Sequence, residues 1–155
     1  MTYLAVKWLH ILSSTVLFGT GLGSAYYLFF TSRTHDARIT SSVIRQVVIA
    51  DWIFTTPTMV LQPVTGLWLM HLAGFPWSTP WLYWSIALYL LAGAAWLPVV
   101  WIQIRMRDLA SAAAQAELEL PVRFWRLMRA WVALGVVAFI ALVTVFYLMV
   151  AKPAL

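Results

Sequence analysis

The chain has 155 residues, 63% of them hydrophobic and 10% charged, with no cysteine and a formal net charge of +5. Soluble domains are ordinarily about half apolar, so this composition excludes a water-soluble globule and specifies an integral membrane protein of a single domain's length. The missing thiols exclude disulfides, iron–sulfur ligation and covalent c-type haem, and the basic residues, gathered in two connections, read as topology determinants rather than as a nucleic-acid surface.

The first apolar run extends from about Leu4 to Phe30, too long for a signal-peptide core. A polar segment follows, Thr31 to Gln46. The second run, Val47 to Leu72, is interrupted by Pro57 and Pro63, and a turn without formal charge, Ala73 to Pro80, leads into the third, Trp81 to Ile104. A connection over 105–129 is helical in part, because Asp108 to Glu117 is rich in strong helix formers. The fourth run is Ala130 to Val150. Each run reaches the roughly 20 residues a helix needs to cross a bilayer. The expected fold is therefore all-α, a four-helix membrane bundle forming one four-span domain.

Lys and Arg are strongly segregated. Arg33, Arg38, Arg45, Arg105, Arg107, Arg123, Arg126 and Arg129 lie in the first and third connections, against Lys7 and Lys152 at the other end. Positive charge stays cytoplasmic, which puts both termini outside, periplasmic for a bacterial inner membrane. Arg123, Arg126 and Arg129, with Trp125, are spaced as an anchor for lipid headgroups.

Polar residues inside the runs carry the functional argument. An imidazole facing lipid is costly, so His10 is expected to face the protein interior and find a partner. On an ideal helix it lines up with Ser14, Leu17, Gly21 and Ser24, a face of hydroxyls and small residues that admits another backbone or a flat ligand. His71 lies near the same outer end, in the second run. At 1.5 Å per residue the two histidines differ in depth by about 6 Å, so His10 and His71 are candidates to ligate one metal or the two faces of a b-type haem. A satisfied structural histidine is the competing reading for each. Asp51, Thr55, Thr58, Gln62, Thr65 and Gly66 form a stripe that should face the bundle, and His71 points nearly opposite to it unless the prolines rotate the outer half of the helix. Asp51 reads either as a proton uptake point or partner of Arg45, or as an interfacial carboxylate at a helix start. In the third run Ser85, Tyr89, Trp96 and Gln103 share a face, and Tyr89 and Trp96 are placed to wall a haem or a quinone ring, or simply to pack. Gly19 and Gly23 have the spacing of a close-packing ridge, a surface for a homodimer.

With these residues in place, the chain resembles bacterial four-helix membrane proteins described only as a predicted integral membrane domain. More distantly it is similar to HemJ-type protoporphyrinogen IX oxidases and CopD-type copper-resistance membrane domains. The likeness rests on Lys7-Trp8-Leu9-His10-Ile11 with the glycines at 19–23, on the short outer turn before Trp81-Leu82, and on the ending Val150-Ala151-Lys152-Pro153. The resemblance implies that His10 is a ligand of haem b. It departs from the HemJ type at Ser85, where that family carries a lysine, and over Trp125 to Trp131, which lacks that family's acidic and amide residues.

Two classes of function follow. The first is a membrane-embedded b-haem protein in electron transfer, or an oxidoreductase acting on a small hydrophobic donor of quinol or porphyrinogen type. If His71 is no ligand, a five-coordinate iron would suit sensing or oxygen chemistry. The second is a cofactor-free permeation module along the Asp51 stripe, or a copper-handling one with His10 and Met59 or Met70 as ligands. A non-catalytic membrane subunit of a larger complex is the plainest reading.

Overall fold

The computed structural model describes residues 1–153. It contains four helices: α1, Thr2–Ser32; α2, Ala37–Ala73; α3, Pro80–Gln115; and α4, Val122–Ala151. Three of them, α2, α3 and α4, are long and apolar enough to cross a membrane, which makes a multi-pass membrane protein. Helix α1 is equally long but falls short of that measure, diluted by its glycines and hydroxyl residues. Its outward face is nevertheless apolar, with Trp8, Ile11, Leu22 and Tyr26 more than half exposed.

The helices run further than the hydropathy of the sequence suggests. The polar segment after α1 shrinks to a turn, because Asp36 caps α2 by accepting hydrogen bonds from the backbone N–H groups of Arg38 and Ile39 at 2.8 and 3.0 Å. The stretch 105–129, expected to be only partly helical, belongs almost wholly to α3 and α4, with a break at 116–121. Pro121 precedes the first turn of α4, where a missing N–H costs nothing. At 36 residues α3 is about 54 Å long against roughly 30 Å of hydrocarbon. The arginine-rich ends therefore stand clear of the apolar layer.

That geometry locates the core. Leu28, Ile44, Met106 and Phe124 are fully buried in one cluster with Trp131 at the arginine-rich end, where water surrounds the helices and apolar burial is favourable. Within lipid that driving force between helices is absent, and close packing and polar contacts replace it. There α2 changes character. Residues Asp51–Thr55 form a π-helical turn. Pro57 offers no N–H to the Ile53 carbonyl, and the ladder widens so that the Thr56 N–H reaches the Asp51 carbonyl. The hydroxyls of Thr56 and Thr58 donate to the carbonyls of Asp51 and Phe54 at 2.9 and 2.6 Å.

Beyond this turn the outer half of α2 packs on α1, while α3 packs on α4 along much of its length. The two pairs meet through side chains. Phe18 of α1 lies 5.3 Å, centroid to centroid, from both Phe139 and Phe146 of α4. Tyr89 of α3 reaches Met59 of α2. Gly19, Gly21 and Gly23 have no neighbour where a Cβ would stand, so the glycine ridge does not serve packing within the chain.

Candidate functional site

His10 is 9% exposed and turned inward. Its Nδ1 lies 2.7 Å from the Thr65 Oγ1 of α2, and that hydroxyl lies 2.6 Å from the Leu61 carbonyl. A carbonyl only accepts, so the Thr65 proton is committed to Leu61 and Thr65 accepts from Nδ1–H. In a neutral imidazole this puts the proton on Nδ1 and the lone pair on Nε2, which has no hydrogen-bond partner among the described residues. An imidazole oriented through one nitrogen, with the other open, is the arrangement metal-ligating histidines adopt.

Two neighbours hold the ring in place. Gly66 passes so close that a Cβ there would stand 3.3 Å from the His10 Cε1; glycine makes the approach possible. The Gln62 amide donates to the His10 carbonyl at 2.8 Å and to the Ser13 Oγ at 2.5 Å, while Ser13 itself donates to the same carbonyl at 3.1 Å. The buried face of α1 is thus Val6, His10, Ser13 and Leu17, rotated from the one expected from an ideal wheel. Ser14 turns away and donates to the Ile11 carbonyl at 2.7 Å, at an exposed position, and Gly21 is exposed.

The structure does not bring His71 to His10. His71 is exposed in the last turn of α2, about 120° around the helix from Thr65 at 100° per residue. The buried thioether at this end is Met70, one turn beyond Gly66 and only about 40° from it. Tyr89 and Trp96 lie on α3, and neither is hydrogen-bonded to the imidazole. The Tyr89 hydroxyl donates to the Met59 carbonyl at 2.7 Å, and the Trp96 Nε1 is buried without a partner among the described residues.

The stripe on α2 does face the bundle: Asp51, Thr55, Thr58, Gln62 and Thr65 are all under 9% exposed. It spans 15 residues, about 21 Å of helix. At its inner end Asp51 Oδ1 accepts from the Thr55 hydroxyl at 2.8 Å, with the buried Gln103 amide of α3 beside the carboxyl. No Arg45 pairing is present: the ion pairs among the described residues are Arg38–Glu117 and Arg107–Asp108.

Sequence reasoning missed the roles of Thr65 and Gln62 as partners of α1, though both lay in the stripe. It also missed the reason for Tyr89, for which the signal was Pro63. A proline at 63 leaves the carbonyl four residues earlier, that of Met59, without its helical donor, and the Tyr89 hydroxyl replaces it. Among the described residues no cluster of three or more His, Asp or Glu is arranged to hold a metal.

Comparison with curated proteins and with solved structures returns no match. The match that covers the chain, over residues 4–153, is to the predicted integral membrane proteins DUF2269, and the protein belongs to that family.

Proposed function

We propose that the protein binds a b-type haem in the outer half of the bundle, where His10 Nε2 would hold it, and acts in electron transfer or in oxidation of a small hydrophobic donor of quinol or porphyrinogen type. The observation that carries this reading is the Leu61–Thr65–His10 chain, which orients the imidazole through Nδ1 and leaves Nε2 of the neutral ring free to ligate. Haem would supply one-electron redox chemistry, its potential set by the axial ligands and the apolar shell. The protein's share is to hold the ring: Thr65 fixes the tautomer, Gly66 its plane, and Gln62 with Ser13 the backbone beneath it. Met70, the buried thioether one turn beyond Gly66 on α2, would be the second residue to hold the group, with His71 left exposed at the helix end.

In this reading α1 is a fourth span, and the arginine-rich end faces the cytoplasm of a bacterial inner membrane. The visible spectrum, oxidised and dithionite-reduced, of protein purified from haem-replete cells tests the cofactor. A Soret band lost in His10→Ala and kept in His71→Ala is expected. A colourless wild type after haem supplementation refutes the reading. Since the chain lacks cysteine, single cysteines placed at Thr2 and at Ser42 report orientation by labelling of intact cells.

One observation favours a second reading. The buried file from Asp51 to Thr65 is the lining expected of a permeation path for a proton or small cation. For copper, His10 with Met59 or Met70 offers nitrogen and thioether donors that suit Cu(I). Flux into proteoliposomes from a colourless preparation, abolished in Asp51→Asn, would decide for it.

A further inference from the structure

At the arginine-rich end a cavity of about 350 Å³ opens between α2 and α3, lined by Arg38, Ser41, Ser42, Arg45, Ser111 and Gln115 among others. Small-molecule sites begin at about 300 Å³. Every polar lining group is a hydrogen-bond donor, and no carboxylate lines the space. The two arginines differ. Arg38 is paired with Glu117 at the rim. Arg45 has no carboxylate partner among the described residues, and no aromatic ring beneath it of the kind that occupies Arg105, over Trp101 at 5.5 Å, and Arg33, over Phe29 at 5.7 Å.

The hydroxyls are arranged to donate. Ser41 Oγ and Ser111 Oγ are 3.0 Å apart across the α2–α3 contact. The pair shares one hydrogen bond and so retains one proton for a third partner; Ser42 and the Gln115 amide add more. Three hydroxyls, an amide and a free guanidinium around one space are a donor set for a tetrahedral oxyanion. The level is also defined. Asp51 lies beside Gln103 and Ser41 beside Ser111, which puts Arg45 and Arg105 within about one helical turn, roughly 5 Å, of each other in depth along the bundle. Arg105, stacked on an exposed Trp101, marks the aromatic belt at the membrane boundary.

We propose that this cavity binds a phosphate group, with Arg45 as its charged ligand and the Ser41–Ser111 pair as neutral donors. Two sources share that chemistry, the phosphodiester of an anionic phospholipid and free phosphate, and the inference does not depend on what His10 holds.

The test is thermal unfolding of the full chain in neutral detergent, titrated separately with phosphatidylglycerol, phosphatidylcholine and inorganic phosphate. Saturable stabilisation by phosphatidylglycerol and not by phosphatidylcholine assigns a lipid; stabilisation by inorganic phosphate assigns the free anion. Removing a bidentate charged contact should weaken apparent binding roughly tenfold in Arg45→Gln, with partial recovery in Arg45→Lys and a smaller loss in Ser111→Ala. Lys7→Gln, which removes the same charge at the opposite end of the bundle, keeps wild-type binding. The proposal is overturned if neither phosphate probe stabilises the wild type, or if Arg45→Gln and Lys7→Gln respond alike.

Discussion

Tyr89→Phe removes the hydrogen bond from the Tyr89 hydroxyl to the Met59 carbonyl at 2.7 Å, and with it the weak contact to the Met59 sulfur at 3.5 Å. That carbonyl lacks its helical donor because residue 63 is proline. Stranding a buried carbonyl costs about 1–3 kcal/mol in water-soluble proteins, whereas hydrogen bonds between membrane helices average about 0.6 and reach about 1.7 kcal/mol. Tyr89 is only partly buried, so a loss of about 1 kcal/mol is expected, again with the membrane range as guide. The assay is reversible unfolding in mixed micelles by SDS titration, followed by tryptophan fluorescence. The decisive arm is Pro63→Ala, which returns an N–H to the ladder at the Met59 carbonyl. In that background Tyr89→Phe should cost almost nothing. If the two changes instead add to within about 0.3–0.5 kcal/mol, as independent sites do, the hydroxyl is not replacing the missing helical donor and the account fails.

Further expectations concern the same architecture. Asp36→Ala removes the cap of α2 and should cost about 1 kcal/mol, read by the same titration, with Asp36→Asn or Asp36→Ser recovering most of it. Gly66→Ala brings a methyl to within 3.3 Å of the His10 ring. Because alanine also raises helix propensity by about 1 kcal/mol, overall stability should change little while the spectrum of any chromophore held by His10 shifts; an unchanged spectrum would detach the ring from the ligand. Thr65→Val removes the acceptor that fixes the tautomer, and retention of a bound chromophore should fall about 10- to 100-fold, the usual effect of losing such an orienting partner, measured by transfer of haem to apomyoglobin. His71→Ala should leave that transfer rate at the wild-type value.

Much of this protein is written in residue type and order. The apolar runs fix the helices, because only a helix satisfies its own backbone in lipid. The gathering of eight arginines at two connections fixes which ends lie together, and the 3–4 spacing of Asp51, Thr55, Thr58, Gln62 and Thr65 fixes the side of α2 that turns inward. His10 also had to face inward, since a lone imidazole is costly in hydrocarbon. Its partner was not legible. Whether His10 met His71, a carbonyl or a hydroxyl depended on the relative rotation and level of α1 and α2, and neither is encoded in one helix. The contact with Gly66 and the reach of Gln62 set that level. They leave His71 on the outside, Ser14 bonded to its own helix and the ridge of Gly19 and Gly23 unpacked. Likewise Tyr89 was visible only as an aromatic at helical spacing, and it gained its role when α3 was laid against the one carbonyl in α2 that Pro63 had stripped of its donor. Local chemistry thus determined which groups needed partners, and tertiary packing decided which partners they found.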